Sequence, residues 1–161
     1  MTDTPVAYRV IDADLENEQH QAAILEMLEE YARGQLDPGE QVDPEALARV
    51  ISGLRDHPTS LVFLALEDEL AVGFAVCFRL FSTFAGKPSL NIHDFAARAT
   101  HRRHGVGRCL MAAIEKRARE MGCCKLTLEV LDRNEPAKRL YESVGFHAAG
   151  DRKLFWEKPL A

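Results

Sequence analysis

A cluster of basic residues and glycines lies past the middle of the chain. Residues 102–107 read RRHGVG, and further basic side chains stand at Arg98, His101 and Arg108. Glycines at the start of a helix expose backbone N–H groups and the helix dipole attracts negative charge, so the pattern is typical of an anion site. A small phosphate-bearing ligand is the favoured interpretation, and a solvated basic loop is the alternative. The segment is not a P-loop, because no Gly-Lys-Ser/Thr follows it.

An anion site of this kind needs a strand before it and a helix after it, and the neighbouring sequence predicts both. Residues 90–97 are predicted as a strand, and 105–121 as a helix whose apolar stripe ends at Gly122. The alternating segment 125–130 predicts another strand, and 134–144 a short helix. These elements form the second half of the predicted fold.

The rest of the chain completes a mixed α/β pattern. The other predicted elements are a strand at 6–11, a helix at 18–33, a loop at 35–42, a helix from Asp43-Pro44 to His57-Pro58, a hairpin of strands at 60–66 and 70–81, and a last pair of strands from Phe146 onward and at 153–158. Gly73 suggests a bulge in the hairpin. The predicted fold class is α/β, with an α+β mixed sheet, in a single domain over residues 1–161.

Composition and charge narrow the class of protein. The chain has 161 residues, of which 47% are hydrophobic and 28% charged, and its net charge is −5. These values are ordinary for one globular domain, and the negative charge disfavours a nucleic-acid-binding protein. No apolar run approaches the ~20 residues of a membrane span, and the first residues lack the pattern of a secretory signal. We therefore expect a cytoplasmic protein with no membrane or nucleic-acid partner.

The cysteines predict neither a metal site nor a disulfide. They stand at Cys77, Cys109, Cys123 and Cys124. No pair has the C-x-x-C spacing, and the adjacent Cys123 and Cys124 do not readily form an ordinary disulfide. No zinc-ligand spacing is visible. Buried, reduced thiols and no bound metal are expected.

The order of the motifs resembles the GNAT superfamily of N-acetyltransferases. The resembling segments are NIHDF at 91–95, R-x-x-G-x-G at 102–107, LEV at 128–130, Asn134, and LYESVGF at 140–146. The glycine hexad alone is a weak motif, but the order and spacing of the five segments together are specific. The first part of the chain resembles the superfamily only in the order of its elements.

The resemblance implies a fold and a co-substrate. The fold is GNAT-like, with a mostly antiparallel central sheet that splays between the strands at 90–97 and 125–130 and helices on both faces. The co-substrate is acetyl-coenzyme A. By resemblance, its pantetheine arm pairs with the backbone of Phe95, Ala96 and Ala97 and bonds to Asn134. Its pyrophosphate lies on backbone N–H groups of the loop formed by Arg102, Arg103, His104, Gly105, Val106, Gly107 and Arg108.

Three positions depart from the family pattern. Ala97 stands where a valine is common, Ala99 where a proline is common, and Arg103 where a glycine is frequent. None of these changes removes a backbone donor. The three departures therefore leave the implied cofactor site intact.

Acetyl transfer to an amine needs a group that takes the amine proton and a group that helps the thiolate leave. The resemblance places the hydroxyl of Tyr141 near the thioester sulfur, as the acid. Tyr141 also shares its predicted helix face with Leu140 and Val144, which is equally typical of a core aromatic. Asn134 could likewise serve simply as the N-cap of its helix.

Three residues compete as the base. Glu129 ranks first, because its position resembles the proposed base of ribosomal-protein N-terminal acetyltransferases. His93 ranks second. It stands at a position where polyamine acetyltransferases carry a glutamate, and these enzymes share the Asn-Glu-Pro and the Tyr of segment 134–141. Asp94 ranks third and points to the other face from His93 if the strand is regular. Each is alternatively a polar side chain held in a hydrogen-bond network.

The resemblance predicts acetyl transfer from acetyl-coenzyme A to a primary amine of a small molecule or peptide, by direct attack in a ternary complex. A non-catalytic acyl-coenzyme A sensor on the same fold is the alternative. Acidic residues crowd the segment from Asp12 to Glu45. They favour a cationic acceptor through long-range attraction, although a solvated helix face explains them as well. Homodimers are common in the family, but no segment of this chain predicts one.

Overall fold

The computed structural model describes residues 8–34, 41–150 and 153–160. They divide into two compact units, whose boundary in the sequence lies between Glu129 and Val130. Most of the predicted loop at 35–42 and the start of the predicted strand at 6–11 lie outside the described residues. The single domain expected from the sequence stays a prediction.

The first unit is a five-stranded sheet with three helices. The strands are β1 (Arg9–Asp12), β2 (Ser60–Glu67), β3 (Leu70–Ser82), β4 (Lys87–Ala97) and β5 (Leu126–Leu128). They lie side by side in sequence order; β1 to β4 are antiparallel, and β5 runs parallel to β4. The helices are α1 (Glu18–Arg33), α2 (Pro44–Asp56) and α3 (Val106–Glu120), with a short 3₁₀ turn at Ala99–His101. The predicted mixed α/β sheet is confirmed.

The first two helices begin where the sequence places a capping side chain. The Asn17 carboxamide oxygen accepts hydrogen bonds from the N–H groups of Gln19 and His20. The Asp43 carboxylate accepts from Glu45 N–H at 3.0 Å, and Pro44 follows it at the first helical position. Both helices then cover the same face of the sheet.

The third helix lies on the opposite face of the sheet from α1 and α2. Side chains alternate along each strand, so each face of the sheet presents its own set of residues to a helix. Ile24 and Met27 of α1 and Ile51 of α2 belong to the same core cluster as Leu64 and Phe74 of the sheet. The neighbouring pair Ala65 and Gly73 faces the other way, toward Val106 and Leu110 of α3. The sheet is thus buried on both faces, with α1 and α2 on one and α3 on the other.

At Gly73 the start of α3 packs tightly against the sheet. A Cβ atom at this position would lie 2.5 Å from Val106 Cγ1 and 3.2 Å from the carbonyl oxygen of Ala96. The bulge expected near Gly73 is present one residue earlier, where the register of β2 and β3 shifts between Ala65 and Leu66. The glycine therefore serves the close approach of the helix, and its neighbour Val72 forms the bulge.

β4 is irregular on both of its edges. Along β3, Ile92 pairs with Cys77 and Asp94 pairs with Val76, so His93 is an extra residue that forms a bulge. Along β5, the ladder has three pairs and ends at Ile92–Leu128, although β4 continues to Ala97. The end of this short ladder is where the splay between the two strands was predicted.

The second unit contains α4 (Glu135–Ser143), which begins at Asn134 as predicted. The prediction of a last pair of strands is wrong for the described residues, since 146–150 and 153–160 contain no strand. The apolar side chains of Leu154, Phe155 and Trp156 are exposed. They gave this segment strand propensity, but a strand also needs a ladder partner, which propensity alone does not supply.

None of the helices in the described part of the chain has the length and apolar character that crossing a membrane requires.

We predict that Gly73→Ala lowers the free energy of unfolding by about 1–3 kcal/mol, because the new methyl group overlaps Val106. Gly53, inside α2, is the matched control, since a Cβ there would meet nothing within 4 Å. Gly53→Ala should raise stability by about 0.5–1 kcal/mol through helix propensity. Urea denaturation measures both, and equal effects of the two substitutions would contradict the packing account.

Candidate active site

The N-terminus of α3 is an open row of backbone donors. Gly105 precedes the helix with a φ of 91°, in the left-handed region, and no side chain caps the helix. The first helical hydrogen bond runs from Cys109 N–H to Gly105 C=O at 3.1 Å. The N–H groups of Val106, Gly107 and Arg108 therefore precede the helical ladder and are directed out of the helix end. This arrangement suits an anion, as the sequence predicted.

The loop before α3 carries its exposed basic side chains on an unusual backbone. Arg103 has a φ of 63°, a left-handed conformation that costs a residue with a side chain about 1 kcal/mol. The family resemblance leads us to expect a glycine at this position, and the backbone shows why glycine suits it. Arg102, Arg103 and His104 are all exposed beside the open helix end.

Arg98 is held by acidic side chains and the backbone of neighbouring elements. Its side chain is 13% exposed, and its guanidinium lies 2.9 Å from a Glu26 carboxylate oxygen and 3.3 Å from one of Glu30. Its Nε donates to the carbonyl of Ala71 in β3, and Glu30 also accepts from Ala99 N–H at 2.8 Å. Arg98 therefore fastens the loop that leads to α3 onto both α1 and β3.

His101 is also turned toward the protein. Its Nε2 lies 3.0 Å from a carboxylate oxygen of Glu67, and its Nδ1 lies 2.8 Å from Thr100 Oγ1. Arg98 and His101 are thus bound internally, although both belong to the basic cluster in the sequence. The exposed basic side chains next to the helix end are those of Arg102, Arg103, His104 and Arg108.

A pocket of about 380 Å³ lies between α1, α2 and the sheet. Its walls are mostly apolar, and the bulged part of β4 brings His93 and Asp94 into its lining together. A regular strand would have placed these two side chains on opposite faces, as predicted from the sequence. The bulge at His93 explains the difference, because an extra residue restores Asp94 to the side on which Val76 lies.

Asp94 is the titratable group of the pocket whose proton affinity is most clearly altered. Burial raises the pKa of its carboxyl above the ordinary value, and the charge of His93 partly opposes the rise. Burial, with the charge of Asp94 as the second cause, also raises the pKa of the Tyr31 hydroxyl. A carboxylate with a raised pKa is a better proton acceptor than an ordinary one.

Aromatic rings hold the histidines of the pocket in place. The ring of Phe78 meets that of His93 edge to face at 5.6 Å and that of His57 at 4.7 Å, between ring centroids. His57 lies directly after α2 and also lines the pocket. The imidazole of His93 is therefore positioned beside Asp94 by packing as well as by the strand.

Glu129 lies elsewhere. It follows the last residue of β5, is exposed, and is not among the described residues that line the pocket. The structure thus brings together the second and third candidates for the base, His93 and Asp94, and leaves the first one apart from them.

Asn134 and Tyr141 belong to the second unit. The Asn134 carboxamide oxygen accepts from Ala137 N–H at 3.3 Å and so caps α4. Tyr141 is half-buried, and its ring lies 5.9 Å from that of Phe146. Both alternatives considered from sequence, a capping asparagine and a packed tyrosine, therefore describe what these side chains do inside their own unit.

One face of α2 lines the pocket, which the sequence did not predict. It repeats at helical spacing, and its members are Ala46, Arg49, Val50, Gly53, Leu54 and His57. A glycine in a helix interior is unfavourable by about 1 kcal/mol relative to alanine. Gly53 was therefore the one sequence feature that could have indicated a function for this face.

Among the residues that the structure describes, no three His, Cys, Asp or Glu side chains are grouped so that they could hold a metal ion.

The sequence profile of the Acetyltransferase (GNAT) family matches residues 22–146. This match covers more than half of the chain, including strands β2 to β5 and the whole basic loop, and the chain therefore belongs to the GNAT family of acetyltransferases. This confirms the class of protein predicted from the motifs.

Named relatives agree with this class. L-ornithine N5-acetyltransferase NATA1 of Arabidopsis thaliana is 32% identical over 80 residues, which are 50% of this chain and 35% of that protein. The ribosomal protein bS18-alanine N-acetyltransferase of Haemophilus influenzae is 29% identical over 94 residues, 58% of this chain and 60% of that one. In both comparisons the matched part spans less than two thirds of the relative.

Solved structures share the fold. A probable acetyltransferase superposes with a TM-score of 0.81 and 24% identity over 95% of this chain and 98% of that one. An aminoglycoside acetyltransferase from a soil metagenomic sample, in complex with sisomicin, has a TM-score of 0.77 and 19% identity over 94% and 96%. At these identities the likeness shows the fold alone.

We predict that Arg98→Met destabilises the protein by about 2–3 kcal/mol, because it leaves Glu30 and Ala71 without their buried donor. The matched control is Arg102→Met, which removes an exposed charge of the same loop and should change stability by less than about 0.5 kcal/mol. Urea denaturation of the two variants tests this. A fully stable Arg98→Met protein would show that the loop is not held by these bonds.

Proposed function

We propose that the protein transfers an acetyl group from acetyl-coenzyme A to a primary amine, by direct attack in a ternary complex. The observation that supports this most is the course of β4. Its bulge places His93 and Asp94 in a pocket, and its end leads through the anchored loop to the uncapped N-terminus of α3. The same strand therefore positions both the proposed amine site and the proposed site of the anionic cofactor.

The residues present fit the acidic end of coenzyme A. Uncapped N–H groups from Gly105 to Arg108 suit a pyrophosphate, and exposed basic side chains, Arg102 and Arg103 among them, add charge. The backbone of Phe95 to Ala97 would hold the pantetheine arm, and Asn134 would bond to it. When bound, the cofactor supplies a thioester carbonyl that an amine can attack.

The proton of the amine is the main chemical obstacle. A lysine-like amine has a pKa of ~10.4 and arrives charged at neutral pH. We propose that Asp94 receives this proton with the help of His93, since both line the pocket and burial raises the pKa of Asp94. Glu129 remains a candidate by family resemblance, but its exposed position at the end of β5 supports it less.

A cysteine carrier is not needed for this reaction. Burial raises the pKa of the Cys77 thiol to about 12, so this residue is almost wholly protonated at neutral pH and is a poor nucleophile. Direct transfer to the amine is the simpler scheme. In it, Tyr141 would protonate the departing thiolate, whose acid has a pKa of only ~8.5 and needs modest help.

We predict that Asp94→Asn lowers kcat/KM by about 10²-fold or more and removes the acidic limb of the pH–rate profile, because the proton acceptor is lost. Glu129→Gln is the matched control and should keep both the rate and the limb. Steady-state assays of thiol release across pH measure this. Loss of the limb in Glu129→Gln but not in Asp94→Asn would exchange the two roles.

We predict that Tyr141→Phe lowers kcat while leaving the affinity for acetyl-coenzyme A unchanged, because the substitution removes only the hydroxyl and keeps the packing on Phe146. Turnover assays and calorimetric titration with acetyl-coenzyme A separate the two quantities. Wild-type turnover in this variant would remove Tyr141 from the mechanism.

A further inference from the structure

The walls of the pocket are the strongest indication of what the acceptor is. Aliphatic and aromatic side chains from α1, α2 and β3 form them, among them Leu28, Val50, Leu54 and Phe74. Such a lining favours a ligand by roughly 0.8 kcal/mol for each methylene that it buries. A strongly polar acceptor would leave many of its donors and acceptors without partners here.

The charged side chains of the pocket favour an acceptor that carries a single positive charge. Asp94 is the only carboxylate among the described residues that line it, and Arg49 lines it too. Three acidic side chains of α1 are paired within the protein: Glu26 and Glu30 bind Arg98, and Glu29 lies 3.9 Å from Arg33. The described lining therefore has one anionic partner for one ammonium group, and its arginine, which also lies 3.9 Å from a Glu45 carboxylate oxygen, offers a second ammonium no partner.

We infer that the acceptor is a primary amine with a single positive charge and an apolar remainder, such as an alkylamine or arylalkylamine. This inference rests on the proposed function and names its substrate class. The ammonium lies by Asp94 at the β4 bulge, and the apolar part lies against α1 and α2. Polyamines and aminoglycosides, with several charges, are excluded as good substrates.

Gly53 is the specificity-determining residue in this arrangement. It lies in the interior of α2, lines the pocket, and would meet nothing within 4 Å if it carried a Cβ. Neither packing nor a left-handed backbone therefore requires a glycine here, although it weakens the helix. Its missing side chain leaves room in the pocket for the apolar part of the acceptor.

Three amines of equal chain length test the substrate class. They are n-hexylamine, with an apolar end, hexamethylenediamine, with a second ammonium, and ε-aminocaproate, with a carboxylate. The intact protein with acetyl-coenzyme A should give n-hexylamine a kcat/KM at least about tenfold above the other two. Shorter alkylamines should lose about fourfold for each methylene removed.

A substitution of Gly53 tests the site. Gly53→Leu should raise KM for n-hexylamine about tenfold or more, because its side chain takes up space in the pocket, and should leave the KM of acetyl-coenzyme A unchanged. Ala48→Leu is the control: this residue is exposed on α2 and is not among the described lining residues. It should behave as the wild type.

The outcomes separate the inference from the proposed function. If n-hexylamine gives the highest kcat/KM for thiol release and Gly53→Leu raises its KM, both the substrate class and the proposed function are supported. Equal or better use of the diamine, or of ε-aminocaproate through Arg49, overturns the substrate class and leaves the acetyltransferase standing. An unchanged KM for n-hexylamine in Gly53→Leu overturns the placement of the acceptor. No thiol release with any of a broad panel of amines overturns the proposed function itself.

Discussion

The pairing of β4 is the constraint on which the two candidate subsites depend. β3 holds β4 along its whole length, whereas the ladder to β5 ends after three pairs, at Ile92. A strand held on one edge can take up an extra residue, and His93 is that residue. The bulge then places two titratable side chains in one pocket, which a regular strand of the same sequence would have separated.

The anion site depends on the same strand through a second set of contacts. Gly73 lets the start of α3 approach β3 and the backbone of Ala96, and Arg98 binds the connecting loop to α1 and β3. The start of α3 and the loop before it are therefore held by contacts within the protein. Such preorganisation reduces the ordering that binding would otherwise require. It also links α1, a wall of the pocket, to the loop of the anion site.

Periodicity and turn residues were enough to predict the elements of the first unit, because each helix and strand there agrees with its local sequence. They could not show the bulge at His93, which arises from pairing with a distant strand. Nor could they show that Arg98 pairs with Glu26 and Glu30, since those partners come from another element. The prediction of final strands after Phe146 failed for the converse reason: local propensity was present without a ladder. The sequence shows Gly53 inside a predicted helix, but only the pocket indicates a role for the glycine.

The cofactor site that we propose combines the start of α3 with the end of β4. The sharpest test follows the backbone amide resonances of the isotopically labelled protein during a titration with coenzyme A. We expect saturable binding, with the largest shifts at the amides of Gly105 to Arg108 and further shifts at Phe95 to Ala97. Saturable binding that leaves the amides of Gly105 to Arg108 unmoved would contradict it.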